Sequence, residues 1–270
     1  MASRDWIFQT RSFSKLVGRV GVLRKFAEGK YDRPFSNGRG LFRGVYATFE
    51  EAARSAPDTK ALGYDQPDAA AMYRDRLDRI YPSDYPMVFW LKTVMDEIRT
   101  VFDFGGHVGI ARYAYDTYLH FPQTLQWKVC DVQAVAEAGT ELARERGVAG
   151  LSFTTSREEA AGADLFFSAG ALQYLDWRLP DLLATIERPK RLLLNLLPLT
   201  DGPTYFTLQN IGTAFCPYRI SSRQELLGGL QKLGYQARDS WTNPEKSCYI
   251  PFHLDRSLSF YDGFYLTLES

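Results

Sequence analysis

The chain has 270 residues, 45% hydrophobic and 24% charged, and its 32 basic and 32 acidic side chains cancel. That composition excludes a disordered or collagen-like chain, and with no basic excess nucleic acid is disfavoured as the main partner. No apolar run reaches the roughly 18 residues of a membrane span, and the N-terminus lacks the apolar core of a secretory signal. Cys130, Cys216 and Cys248 stand far apart in no metal-ligand spacing. They fit a reduced cytoplasmic setting and no metal site.

The first 33 residues carry eight basic side chains, Arg4, Arg11, Lys15, Arg19, Arg24, Lys25, Lys30 and Arg33, against Asp5, Glu28 and Asp32. Phe13, Leu16, Val17 and Val20 follow helical spacing. A basic amphipathic helix of this kind either packs on the main domain or makes peripheral contact with an anionic membrane through residues 1–33. Arg33–Gly40 reads as a loop by composition. Thr48-Phe49-Glu50-Glu51 reads as a capping box. A further helix is expected to start at Pro67 and run through Ala69, Met72, Tyr73, Leu77 and Ile80. Another carries Val88, Leu91, Met95 and Ile98. No strand-like run stands out before residue 100.

From Thr100 the pattern changes. The expected strands are Val101–Phe104, Leu125–Cys130, Leu151–Thr155, Asp164–Ser168, Arg191–Leu197, Tyr235–Trp241 and Phe264–Leu268. Helical stretches separate the first six, which predicts a parallel sheet of βαβ units. Val132–Arg146, closed by Gly147, is one of these helices. Another starts at Ser222 with Glu225 as a second capping box and stops at Gly234. The seventh strand follows a long loop and the Asp262-Gly263 turn, so it pairs antiparallel. These signals divide the chain into a helical N-terminal extension or cap, 1–99, and an α/β domain, 100–270.

The segment Val101-Phe102-Asp103-Phe104-Gly105-Gly106-His107-Val108-Gly109 runs from a strand through a glycine-rich turn into a helix. Such a turn lets backbone approach a ligand, and the helix amides beyond it favour a negative group. It does not satisfy the dinucleotide fingerprint G-x-G-x-x-G, because Phe104 stands at the first glycine. Asp103, at the strand end, would repel a pyrophosphate and attract an ammonium group. An NAD-type oxidoreductase is therefore disfavoured. The next strand ends in Asp131, 22 residues after Gly109, where a carboxylate either accepts the hydroxyls of a ribose or caps the following helix. An amino-acid end and a ribose end together describe S-adenosylmethionine.

Here the chain resembles a known family. From about Val101 onward it looks like a seven-strand, class I S-adenosylmethionine-dependent methyltransferase, whose first motif is acid-x-Gly-x-Gly-x-Gly. Asp103, Gly105 and Gly109 match; His107 stands where the middle glycine belongs, with Gly106 beside it. From about Gly44 the chain further resembles a bacterial family of methyltransferases met in surface-polysaccharide gene clusters. That resemblance rests on Phe49-Glu50-Glu51-Ala52, Gly63-Tyr64, Asp103-Phe104-Gly105-Gly106 and Leu172-Gln173-Tyr174-Leu175. Thr207-Leu208-Gln209, Cys216-Pro217-Tyr218 and Gly234-Tyr235 complete it. It implies a Rossmann-like, doubly wound, mostly parallel seven-strand sheet with a helical N-terminal extension, and methyl transfer to oxygen of a small-molecule or saccharide acceptor.

Ligands of open α/β sheets bind outside the carboxyl ends of the strands. In the implied strand order that edge gathers Gly105–Gly109, Asp131, Thr155-Ser156, Ser168–Tyr174, and two long loops, Pro198–Arg219 and Thr242–Tyr261. Asp103, Gly105, Gly106, His107, Gly109, Asp131, Ser168 and Gln173 are accordingly expected at the cofactor. Tyr174, Gln209 and Tyr218 are expected at the acceptor. For a hydroxyl acceptor a base must take a proton. His253 is the first candidate, with Asp201 and Glu245 as alternatives; His120 reads as a surface residue. A rival reading keeps the fold without the chemistry, as a cofactor-binding partner subunit.

Overall fold

The computed structural model describes residues 21–38, 40–65 and 74–269. The helix expected around Phe13–Val20 and the helix start at Pro67 lie outside these residues, but that second helix does not run on through Leu77 and Ile80: a single 3-10 turn at Arg74–Arg76 gives way to irregular chain. In chain order the regular elements are α1 (Gly21–Ser36), β1 (Phe42–Tyr46), α2 (Phe49–Arg54), β2 (Ala61–Leu62), α3 (Tyr85–Val94), β3 (Thr100–Phe104), α4 (Ile110–Leu119), β4 (Gln126–Cys130), α5 (Gln133–Arg146) and β5 (Leu151–Thr154). They continue as β6 (Leu165–Ala169), α6 (Leu179–Leu183), β7 (Arg191–Leu197), β8 (Leu199–Thr200), β9 (Tyr205–Asn210), β10 (Ala214–Ser222), α7 (Arg223–Lys232), β11 (Tyr235–Asn243) and β12 (Tyr261–Leu268).

The chain divides into two compact units. One comprises residues up to Tyr64 with Pro198–Ser222 and Lys246–Phe260; the other comprises Asp65–Leu197, Arg223–Glu245 and residues from Tyr261. The boundary expected at 99/100 therefore gives way to a division at Tyr64/Asp65, with both units drawn from separate stretches of chain.

The second unit is the expected α/β fold. Its seven strands lie in the order β11-β12-β7-β6-β3-β4-β5. The pairs β3–β4, β3–β6, β4–β5 and β6–β7 are parallel. β12 is antiparallel to both of its neighbours, as expected, although Asp262-Gly263 lies inside the strand and not in a turn before it. All seven expected strands are present, with ends displaced by three residues or fewer. Leu91, Ile98, Val101, Trp127, Val129, Leu165, Phe167 and Leu193 lie in one buried cluster, which α3 and α4 also enter through Met87, Val94 and Ala114. Gly147, at φ 62°, closes α5 where the sequence expects it. Asn195, fully buried in β7, donates to the Ser83 carbonyl at 2.7 Å and accepts from Trp241 and Asn243 at 2.9 and 3.0 Å. That network ties β7 and β11 to the turn before α3.

The first unit departs from expectation. Pro198–Arg219 is not a loop: β9 and β10 form an antiparallel hairpin whose sheet runs β1-β9-β10-β2. Its aromatic and apolar residues are pleated core, with Phe206, Leu208, Phe215 and Tyr218 buried. β1 also overturns the reading that no strand precedes residue 100. Its local signal is weak because Gly44 takes φ 71° and the pairing with β9 shifts register between Arg43 and Tyr46. Its partner also lies some 160 residues away in sequence.

Composition placed a loop at Arg33–Gly40, yet α1 runs on through Pro34 to Ser36. Phe35 is fully buried and stacks on Phe215 at 5.3 Å, and Tyr31 meets the Phe252 ring edge-on at 6.0 Å. Burying two large side chains, at roughly 1.5–3 kcal/mol each, offsets the about 3 kcal/mol cost of an interior proline. At α2 the Thr48 hydroxyl accepts from Glu51 N–H at 3.1 Å as predicted, while the Glu51 carboxylate takes the amide of Ala47 at 2.9 Å. Among the described residues no helix is long and apolar enough to cross a membrane.

Candidate functional site

Chain order reverses direction across the sheet at β3: β4 and β5 follow on one side, β6 and β7 on the other. The crevice outside the carboxyl ends of β3 and β6 is thus the topological switch point, the position where open α/β sheets take ligands. Three loops meet this edge: the turn 105–109 after β3, Asp131-Val132 after β4, and Gly170–Tyr174 after β6.

The turn is built for close backbone approach. Gly105 and Gly109 adopt φ 71° and 89°, the left-handed region that favours glycine. A Cβ on Gly105 would fall 2.1 Å from the Cβ of Ala171, and one on Gly106 would fall 2.2 Å from the Asp103 carboxylate. His107, at φ 55°, occupies the same region with a full side chain and is buried. The Gly106 carbonyl accepts from Gly109 and Ile110 N–H at 3.0 and 3.1 Å, which turns the chain into α4.

Two carboxylates hold this turn. Asp131 Oδ2 accepts the His107 N–H at 2.9 Å, and Oδ1 accepts the Val132 N–H at 2.8 Å. The N-cap expected of Asp131 does not form: Val132 is the residue that caps α5, without a side-chain bond, and Asp131 holds only the amide next to its own. Asp103 is 1% exposed and its Oδ2 accepts from the indole of Trp127 at 3.0 Å. Burial pushes the Asp103 carboxyl up to about 7, opposed by the Trp127 hydrogen bond and reinforced by the nearby Asp131 charge. Burial also raises Asp131, against the two N–H donors and His107, which favour its ionised form.

Of the other residues expected at the cofactor, Ser168 is committed to the scaffold: its hydroxyl donates to the Phe104 carbonyl at 2.9 Å. Gln173 is 5% exposed, and its amide donates to the Gly170 carbonyl at 2.7 Å. Its Oε1 is buried without a hydrogen-bond partner. Tyr174 is half-buried in the same loop.

The remaining candidates are scattered. Gln209 is half-buried on β9, and Tyr218 is buried on β10, edge-on to Phe42 at 5.1 Å. Asp201 is exposed after β8, and Glu245 is exposed after β11. His253 Nε2 lies 2.8 Å from Glu28 Oε1. Asp201, Gln209, Tyr218 and His253 belong to the first unit, whereas Glu245, Tyr174 and the glycine turn belong to the second. His120 is exposed at the end of α4, as its sequence setting predicts.

Four residues at or beside this edge were not singled out in the sequence reading. Trp127 reads as an ordinary core position on an alternating strand, and nothing local marks its bond to Asp103. Ala171 packs on Gly105 from another loop. The Arg157 guanidinium lies 4.5 Å over the Trp177 ring, which meets Phe104 edge-on at 5.4 Å beside the same edge. Among the described residues no cluster of His, Cys, Asp and Glu could hold a metal ion.

No family matches this chain, and no curated protein does. Among solved structures, the 1,6-didemethyltoxoflavin-N1-methyltransferase of Burkholderia thailandensis, with bound 1,6-didemethyltoxoflavin and S-adenosylhomocysteine, is 18% identical. It aligns over 70% of this chain and 79% of its own, with a TM-score of 0.46. The magnesium protoporphyrin IX methyltransferase of Synechocystis PCC 6803, bound to S-adenosylmethionine, is 12% identical over 75% of this chain and 94% of its own, with a TM-score of 0.47. The functional reading is therefore carried by the site's own residues.

Proposed function

We propose that the chain is an S-adenosylmethionine-dependent methyltransferase. The observation that carries this reading is the glycine turn at the switch point, with Gly105 and Gly109 in the left-handed region and Gly106 packed directly on the Asp103 carboxylate. An acid on β3 and another just past the end of the adjacent β4 flank that turn. The orphaned Oε1 of Gln173, buried in the loop opposite, offers an acceptor to a donor the protein itself does not supply. Gly105, Gly106, His107 and Gly109 would hold the amino-acid end, with Asp103 beneath them. Asp131 and Gln173 would serve the ribose and the groups next to it. When bound, the cofactor supplies a methyl group on a positively charged sulfur, open to in-line attack.

The protein's own task is to align the acceptor and, for a hydroxyl, to take its proton. We assign the acceptor as a small molecule or saccharide methylated at oxygen, on the sequence resemblance. His253 is the preferred base because Glu28 lies within hydrogen-bond reach of its imidazole, the relation in which a carboxylate fixes the tautomer of a general base. Titration calorimetry with S-adenosylhomocysteine, followed by mass spectrometry of an acceptor pool incubated with methyl-labelled cofactor, tests the reading. Saturable binding with label transfer is the expected result. Binding without transfer would assign a non-catalytic partner subunit, and absence of binding would remove the cofactor.

A further inference from the structure

Asp103 lies in an unusual position for a ligand-binding acid. It is sealed in the sheet, and its carboxyl packs against the backbone of Gly106, which is half-exposed in the turn. A Cβ at residue 106 would meet Oδ2, Cγ and Oδ1 at 2.2, 2.4 and 2.7 Å. The ionisable groups facing it are Asp131 and Cys130 at the end of β4 and Tyr115 from α4, with His107 in the turn beside Asp131. Among the described residues, the charge that acts on Asp103 most directly is the like charge of Asp131, and the Trp127 indole N–H stabilises its ionised form. Trp127 is fully buried, set in register beside Val101, and wedged against Phe121 and Phe167 at 5.3 and 5.6 Å between ring centres. An indole held this way cannot turn away from the carboxyl it serves.

A carboxyl so placed is half neutral near pH 7. A positive charge seated in the turn above Gly106 would favour its ionised form across a thin, poorly screened layer. We propose that Trp127 is a positioning residue that holds Asp103 as a proton-linked receptor for the ligand's ammonium group, so that ligand binding ionises Asp103 and releases its proton to water. In that step the O–H bond of the Asp103 carboxyl breaks, the proton passes to solvent, and the carboxylate retains the Trp127 hydrogen bond. No bond forms between protein and ligand. The inference rests on the proposed cofactor, and it adds a pH dependence and a residue that the glycine motif does not contain.

The test is titration of the full chain with S-adenosylhomocysteine, whose amino-acid ammonium keeps its proton between pH 6 and 8. Heats are measured in two buffers of unlike ionisation enthalpy. The expected wild-type result is release of about half a proton at pH 7, more at pH 6 and little at pH 8, following a free-state value of about 7. Asp103→Asn, nearly isosteric and still able to accept from the indole, should release none and bind with an affinity that no longer changes over this range. Trp127→Phe should shift the release profile to higher pH and weaken binding at pH 8 by about ten-fold or more, as loss of a hydrogen bond to a charged group does. Should Trp127→Phe not fold, Asp103→Asn alone decides. Saturable wild-type binding with equal heats in both buffers, or release that persists in Asp103→Asn, would overturn the inference and leave the cofactor reading intact. Absence of any binding would end both.

Discussion

Asp131 Oδ2 accepts the backbone N–H of His107 at 2.9 Å, so the tip of β4 clasps the turn that leaves β3. The same carboxylate takes the Val132 N–H just before α5. One side chain therefore fixes two backbone segments at the sheet edge. Asp131→Ala removes both anchors, and a hydrogen bond to a charged group is worth ~1.5–3 kcal/mol. S-adenosylhomocysteine binding should weaken about ten- to a hundred-fold by calorimetry. Asp131→Asn, keeping one acceptor oxygen, should lose less. Unchanged affinity in Asp131→Ala would remove this residue from the binding site.

Gly105 carries two constraints at once, a positive φ and a neighbour at 2.1 Å. Gly105→Ala should lower stability by roughly 1–3 kcal/mol, in the usual range for strained backbone. A unit of this size should then melt several degrees lower. Restoring space with Ala171→Gly should recover only the steric part. Full recovery in the double variant would show that backbone conformation costs nothing here.

The raised Asp103 carboxyl has a thermodynamic sign. Between the unfolded value near 4 and the folded value of about 7, the native state binds more protons than the unfolded state. Stability contributed by this group is thus greatest below pH 4 and falls as pH rises to about 7, after which the penalty is constant. The melting temperature of wild type relative to Asp103→Asn should follow that course when scanned from pH 4 to 8. A constant difference across the range would show an ordinary carboxylate at this position.

His253 and Glu28 can be separated from catalysis by comparing two readouts. As a general base, His253 is worth ~10²–10⁴-fold in turnover, so His253→Ala should lose that much on the true acceptor while binding S-adenosylhomocysteine normally. Glu28→Gln should cost less, because it only loosens the imidazole. Equal, modest losses of thermal stability in both variants with turnover intact would make the pair a tie between α1 and the 250–257 segment.

All three cysteines are buried and unpaired by disulfide. Burial pushes the Cys130 and Cys216 thiols up to about 12, which leaves little thiolate at neutral pH. An aromatic disulfide reagent at pH 8 should therefore titrate no thiol in the native protein and three after denaturation. Fast reaction of any one in the native state would contradict that burial.

The sheet and the turn at its carboxyl edge were legible because their signals are local. Val101–Phe104 into Gly105-Gly106, and Gln126–Cys130 into Asp131, each carry strand, turn and acid within ten residues. The first unit was not legible for the opposite reason. β1 owes its existence to Leu208 and Gln209, and the last turn of α1 owes its existence to Phe215, on which Phe35 stacks, and to Asn210, whose amide donates to the Phe35 carbonyl at 2.6 Å. No window of neighbouring residues contains such partners. The β9–β10 hairpin misled differently. Pro198, Gly202 and Pro203 punctuate its start, and Pro217 sits inside β10, so composition favoured a loop where cross-strand pairing prevails. Trp127 shows the remaining limit, since its role depends on which strand lies beside it.

β12 is made after both of its neighbours and lies between them, joined to β7 along one side and to β11 along the other. While the nascent chain emerges from the ribosome, β7, with Leu192, Leu193, Leu194, Leu196 and Leu197, therefore waits with one edge unpaired. That edge is long, apolar and free of charge beyond Arg191, the kind of template that recruits other chains. The interval between synthesis of Leu197 and arrival of Tyr261–Leu268 is thus the window in which this protein most needs a chaperone, or a low synthesis temperature, to reach its native sheet.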